Sequence, residues 1–452
     1  MKSSKSVIMY VVSVLMIVAV LMGCAPAAAP TAAPAAPAAP AAAPTTAPAV
    51  AAEPTAAPAA AEAVAEIKIG VLIPLTGGQA ATGENLKRSH ELAAQMINEA
   101  GGIKSLGGAK IKLVYGDTQA DPAVGVNETE RLITNEKVAA IMGAFNSSVT
   151  YPSSEVAERY KIPYLIPNSN MDDITKRGFK YSFRMERVAS GWSYDQIQFL
   201  KWLNEDVATP AGKPIKKIGL VYEDSDHGQT QAKNWKKYAP EAGFEVVLDE
   251  AYSSKTPDLT PVVLKIKNSG ADAVLFVSYI SDAILMFRTM ADQRVEIPAL
   301  IGSSAGYSDP SFVKEVGGLA NYLFDLTEWT PDLNKELSQK ANARFKETYG
   351  NNMNGAGAFC FAGTFVLADA LERAASTDPE KIREAFATTH ITEGYATIIP
   401  WDTLEFDETG QMKDTGMLVV QYQDGVRTSV WPAKVAKAKP VYPQPSWEEK
   451  MK

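Results

Sequence analysis

The pattern of apolar and polar positions changes character twice along the chain. Val7–Met22 is apolar throughout apart from Ser13. Ala25 to about Ala65 is almost entirely Ala, Pro and Thr, which predicts an extended, solvated tether with no core of its own. From Glu66 onward, short apolar runs alternate with stretches of helical period. Ile67–Ile73 reads as a strand, and Glu84–Ala100 as a helix with Leu86, Ala93, Ile97 and Ala100 on one face, stopped by Gly101-Gly102. Ile111–Tyr115, Val138–Gly143 and Tyr164–Ile166 predict further strands. Asp121-Pro122 opens the helix between the first two of these, Asp as cap and Pro in the first turn, and Pro152 opens the next.

After a predicted helix at Trp192–Leu203 the alternation restarts. Ile218–Tyr222, Phe244–Leu248, Ala273–Val277 and Ala299–Gly302 read as strands, and Gln229–Ala239, Leu259–Asn268 and Asp282–Ala291 as the helices between them. Each β-α-β-α series predicts a mostly parallel sheet covered on both faces. The expected fold is α/β: two doubly wound parallel-sheet lobes, with a ligand cleft where the carboxyl ends of their strands meet. Helices follow at Asn334–Tyr349, Ala356–Ala374 and after the Asp378-Pro379 cap; from about Gly394 the chain turns strand-rich and Pro-punctuated.

The start of the chain adds a location. Lys2 and Lys5 precede the apolar run, and Leu21-Met22-Gly23-Cys24 follows it. A basic start, an apolar centre and small residues at a cut site predict a secretory signal peptide over residues 1–23. The run is shorter than the roughly 18–20 residues a membrane span needs. Cys24, directly after the cut, resembles the bacterial lipobox cysteine, which is diacylated and becomes the mature N-terminus. The expectation is an exported protein, in the periplasm or on the outer face of the cell membrane, bound through the N-terminal lipid and the tether 24–65.

Composition removes other classes. A net charge of −8 gives no reason to expect nucleic acid as a partner. His90, His227 and His390 are far apart and have no second cysteine to join them, so neither a metal site nor a cofactor is expected. No Ser or Cys sits in a nucleophile motif, which argues against an enzyme. With Cys24 lipidated, Cys360 has no partner; within Ala358-Phe359-Cys360-Phe361 it reads as a small buried hydrophobe.

Four segments together resemble one family. Ile69–Gly83 (IGVLIPLTGGQAATG), Ile97–Ile103 (INEAGGI), Val114–Pro122 (VYGDTQADP) and Val138–Gly143 (VAAIMG) are similar to the leucine-binding-protein family, the type I periplasmic solute-binding proteins of branched-chain amino acid ABC transporters. The resemblance covers about Glu66 to Trp447. It implies two lobes joined by three hinge strands, crossing near Phe183–Arg187, Tyr322–Thr327 and Tyr395–Ile399. The first lobe would be 66–186 plus 327–393 and the second 187–326 plus 394–452. It also implies an ABC permease as partner and a ligand that closes the hinge.

Candidate ligand contacts fall in loops after strands. Phe145-Asn146-Ser147-Ser148 precedes a helix whose free N–H groups, with two hydroxyls, suit a carboxylate. The resemblance puts Ser147 at the family's carboxylate-binding serine; a simple Ser-rich cap is the alternative. Pro167-Asn168-Ser169-Asn170 matches a loop in which the positions of Asn168 and Asn170 touch ligand, although composition alone equally suggests a turn. His227 stands where relatives usually carry Tyr, and Thr82 where they often place an aromatic. Tyr279 and Phe361 match ligand-facing aromatics, with core packing a rival for Phe361. The family's ammonium-binding acid falls near Ser304, and Ser cannot neutralise a buried cation. Either Asp282 or Asp226 substitutes, or the ligand has no ammonium. The leading expectation is a small carboxylate-bearing ligand, a hydrophobic branched-chain amino acid first. An aromatic or other organic acid, or a sensor role toward a membrane receptor, is the alternative.

Overall fold

The computed structural model describes residues 65–450 apart from Ser304 and Asp414. Cys24, the signal segment, the tether and Ser304 lie outside the described residues, so the expectations placed on them have no structural counterpart here.

Two sheets organise the chain. The first contains β1 (Glu66–Ile73), β2 (Lys110–Asp117), β3 (Ala140–Met142), β4 (Tyr164–Ile166) and β5 (Ser182–Arg184), in the order β2-β1-β3-β4-β5. All its pairs are parallel, as crossover helices require. Those helices are α1 (Ala80–Glu99), α2 (Pro122–Thr134) and α3 (Ser147–Tyr160). Asp121 caps α2 by accepting from the Ala123 and Val124 N–H groups. Helix α3 starts at Ser147, so Pro152 lies inside it rather than opening it.

The second sheet contains β6 (Lys217–Glu223), β7 (Glu245–Tyr252), β8 (Ala273–Val277), β9 (Ala299–Ser303), β10 (Phe324–Thr327), β11 (Leu418–Gln423) and β12 (Val426–Trp431), ordered β12-β11-β10-β9-β8-β6-β7. It is parallel except where β11 runs against β10 and β12. The helices of this series are α4 (Ala189–Leu203), α5 (Asp226–Glu241), α6 (Thr260–Asn268), α7 (Ile280–Asp292) and α8 (Pro310–Val316). The fold class expected from the alternation is the one observed.

Between β10 and β11 the chain returns to the first sheet as α9 (Glu336–Tyr349), α10 (Gly355–Ala374) and α11 (Pro379–Ala387). Helix α10 is long and apolar enough to cross a membrane, but it is a core helix: Phe359, Phe361, Val366, Leu367 and Leu371 are buried in one cluster with Ile69, Val71, Met142 and Leu165 of the sheet. Cys360 sits there too, unpaired and buried, its thiol pushed up by burial.

One lobe boundary differs from expectation. Tyr395–Ile398 is a 3-10 turn rather than a hinge strand, and Ile399, Trp401, Leu404, Phe406 and Met412 join the first core. Aromatic contacts explain this: Tyr395 packs on Phe361 and Phe365, Trp401 on Phe359, and Phe406 on Phe183. The first lobe therefore runs on to about Met412, and the third crossing falls between Met412 and Leu418. The chain leaves the first sheet after β5 (Ser182–Arg184) and the second after β10 (Phe324–Thr327).

Candidate cleft between the lobes

The carboxyl ends of β3, β4, β6, β8 and β9 face a narrow pocket lined by Phe145, Ser147, Asn168, Ser169, Asn170, Glu186, Trp192, His227, Tyr279, Ser303, Ala305, Glu328 and Ala356. On the first-lobe side, a knot of short polar bonds shapes the loops. Ser169 Oγ donates to the Phe145 carbonyl at 2.9 Å and also bonds Thr150 Oγ1 at 2.5 Å, while the Ala144 N–H donates to Thr150 Oγ1. Phe145 (φ 76°) and Ser169 (φ 118°) hold left-handed backbone, a strain of the kind met at ligand sites. Ser147 is the first residue of α3, where N–H groups lack carbonyl partners within the helix. Its Oγ accepts from the Met171 N–H at 3.3 Å, which leaves its own proton to donate.

The floor of the pocket is acidic. Glu186, just past β5, is 7% exposed and Glu328, just past β10, is 2% exposed. Burial first, then the charge of Glu328, holds the Glu186 carboxyl well above the usual carboxylate range, against the pull of the Ser169 N–H and Arg184. Arg184 is itself buried; its guanidinium donates to Gln411 Oε1, the Met171 and Ser169 carbonyls and Thr175 Oγ1, and burial lowers its pKa to about 10.

On the second-lobe side, Glu223 fixes the loop that carries His227. It accepts from the Ser225 N–H at 2.8 Å, Ser225 Oγ at 2.9 Å and the Gly228 N–H at 2.8 Å. A Cβ on Gly228 would stand 1.9 Å from the Glu223 carbonyl oxygen, so only glycine fits that turn. The His227 ring lies against Tyr279 (5.7 Å between centroids), and Tyr279 against Phe145 across the cleft (6.1 Å). Burial lowers the His227 pKa to about 4, so the imidazole is neutral.

The lobes touch. His227 Nδ1 donates to Asn170 Oδ1 at 2.9 Å, Thr82 Oγ1 to Asp309 Oδ2 at 2.8 Å and Ser281 Oγ to the Gly78 carbonyl at 2.5 Å. The cavity is small, about 30 Å³, room for a few waters at roughly 10–15 Å³ each.

The expected contacts divide accordingly. Phe145, Ser147, Asn168, Ser169, Asn170, His227 and Tyr279 are brought together. Asn146 and Ser148 instead line an outer groove at the cleft mouth, with Gln79, Ser225 and Asp282. Thr82 joins the lobes through Asp309 and does not line the pocket. Phe361 is core, packed on Phe365 and Tyr395. Neither proposed substitute acid faces the pocket: Asp226 is exposed, and Asp282 Oδ2 accepts from the Tyr252 hydroxyl at 2.7 Å and the Tyr279 N–H at 3.3 Å. The acids that do are Glu186 and Glu328, which sequence reading missed together with Trp192, Ser303, Ala305 and Ala356. The available signal was a Glu at the end of each of the first two expected crossings, Glu186 within Phe183–Arg187 and Glu328 just after Tyr322–Thr327.

Comparison with known proteins decides the family. The periplasmic binding protein family model matches residues 66–426. The chain belongs to the periplasmic binding protein family. Among its relatives is the Leu/Ile/Val-binding protein homolog 7 of Brucella suis biovar 1 (strain 1330), 32% identical over 384 residues, covering 82% of this chain and 93% of the relative. The fold matches the branched-chain amino acid transporter substrate binding protein LivJ of Streptococcus pneumoniae, solved with isoleucine (TM-score 0.70, 21% identity, 84% of this chain and 100% of that one). It equally matches a solute binding protein of an ABC transporter from Rhodopseudomonas palustris BisB5, solved with 3,4-dihydroxybenzoic acid (TM-score 0.70, 19% identity, 84% and 98%). As a type I periplasmic binding protein, the chain has its pocket where this architecture puts a ligand, between two lobes at the carboxyl ends of their strands.

Proposed function

We propose that this protein captures a small α-amino acid and presents it to an ABC permease. One observation carries the reading: a helix start with a serine hydroxyl (Ser147) and two buried carboxyls (Glu186, Glu328) line the same pocket. A carboxylate suits the first and an ammonium the second. The names of its relatives support the amino acid class. The mechanism is reversible closure: ligand enters between parted lobes, bridges both walls and stabilises the closed form by its differential affinity for it. The aromatic wall of Phe145, Trp192 and Tyr279 favours a second reading, an aromatic acid, which would bring no cation to the two carboxyls. Export and a lipid on Cys24, with the tether, would keep the cleft near its membrane partner.

A thermal-shift screen of α-amino acids against benzoates and other organic acids tests the ligand class. Ligand at a hundred times its Kd adds about 2.7 kcal/mol of stability. A rise in Tm with amino acids and none with organic acids is expected; the reverse pattern would establish the second reading. Loss of a lipid mass from Cys24→Ser protein, by mass spectrometry of the membrane fraction, checks the anchor.

A further inference from the structure

The second-lobe wall of the pocket holds two buried polar atoms that the protein leaves without partners. Trp192, 2% exposed, has no acceptor for its indole Nε1–H. His227, 9% exposed, spends Nδ1 on Asn170 Oδ1, and Nε2 has no partner. A carbonyl oxygen only accepts, so Nδ1 carries the imidazole proton and Nε2 is a bare lone pair. The wall thus offers one donor and one acceptor, and the remaining polar groups there are committed. Ser303 Oγ donates to Gln231 Oε1 at 2.7 Å, and on the facing first-lobe wall Asn168 Nδ2 donates to the Ala356 carbonyl and Cys360 Sγ, both at 3.2 Å. Helices α4 and α5, which carry Trp192 and His227, pack side by side, and both residues line the pocket.

An aliphatic side chain pressed against this face would leave both atoms desolvated and unpaired, the costly outcome for buried polar groups. We infer that Trp192 and His227 form a polar subsite for the ligand's side chain, selecting a neutral group that both accepts and donates a hydrogen bond: a hydroxyl or a carboxamide. The group accepts from Trp192 Nε1–H and donates to His227 Nε2. The neutrality of His227 keeps that lone pair available at physiological pH. This inference rests on the amino-acid reading, in which the first lobe and the hinge acids take the carboxylate and ammonium and turn the side chain toward the second lobe.

Pairs of near-isosteric amino acids test it without altering the protein. Calorimetry would compare threonine with valine, and asparagine with leucine. The polar member of at least one pair is expected to bind tighter by about tenfold or more, the worth of a buried hydrogen bond. A threonine preference identifies a hydroxyl, an asparagine preference a carboxamide. In Trp192→Phe and His227→Phe the favoured ratio should fall toward one. Valine and leucine binding as tightly as their polar isosteres would overturn the subsite and leave the amino-acid reading standing. Failure of all four to bind would overturn both.

Discussion

Glu328→Gln removes one of the two carboxyls on the pocket floor while keeping the side chain's size. Size matters here, because a Cβ on the facing Gly355 would already stand 2.6 Å from the Glu328 carboxyl carbon. If the pair holds an ammonium, the substitution exchanges a charge-assisted hydrogen bond, worth roughly 1.5–3 kcal/mol, for a neutral one worth roughly 0.5–1.5 kcal/mol, so Kd should rise about 5- to 12-fold. The pH dependence is more telling. Two carboxylates in one buried pocket oppose each other's ionisation, and the Glu186 carboxyl is held well above its usual range by burial and then by Glu328. An arriving ammonium reverses that balance and expels a proton. Affinity should therefore rise about tenfold per pH unit until the ligand-free pair has ionised, and level off above. Folding carries the opposite sign. A carboxyl whose folded pKa exceeds its unfolded value keeps its proton longer in the folded state. Ligand-free protein should thus lose stability as pH rises from the unfolded pKa, about 4.3, through the folded one. Calorimetry in buffers of different ionisation enthalpy counts the proton directly; release is expected in the wild type and less of it in Glu328→Gln, where burial alone still raises the Glu186 carboxyl. A wild-type Kd unchanged between about pH 5 and 8, with no proton released, would refute the assignment.

Three further outcomes follow from the same geometry. Ser147→Ala should weaken ligand binding by about 0.5–1.5 kcal/mol, one hydrogen bond, and Tyr279→Ala by more, because its ring touches both His227 and Phe145; both should stay folded by circular dichroism, and unchanged affinity in both would mean the cleft is misplaced. Thr82→Val breaks the bond to Asp309 that spans the lobes, so the ligand-free protein should open, read as a larger radius of gyration in solution scattering, with weaker binding. Phe361→Leu should cost about 1 kcal/mol of stability through the loss of ring packing in the first core, read as a lower Tm, without changing affinity; a large affinity loss at constant Tm would return Phe361 to the site.

Strand and helix alternation was legible because apolar runs such as Ile67–Ile73 and Ala273–Val277 report burial on both faces. Loops after those strands were legible too, since ligands in such folds sit at carboxyl ends, and Ser147, Asn168, Asn170, His227 and Tyr279 did meet there. What escaped was set by contacts distant in sequence. Glu186 and Glu328 are separated by most of the second lobe, and nothing local says that they share a pocket. Phe361 and the Tyr395–Met412 stretch were misread for the same reason: an aromatic at helical spacing looks alike whether it meets a ligand or, as here, Tyr395 and Phe365. Thr82 was placed near the cleft but assigned to the wrong partner, because its hydroxyl is answered by Asp309 on the other lobe.

The late third crossing has a consequence for how this protein comes to exist. The first core waits for Trp401, Phe406 and Met412, and the second is sealed by Val419, Val430 and Trp447. Neither lobe has its full core without the chain beyond residue 400. Contacts such as Phe183 with Phe406 and Tyr422 with Tyr307 close loops of more than a hundred residues, the topology of slow folders. Both halves of the clamp are thus completed together, by the last part of the chain.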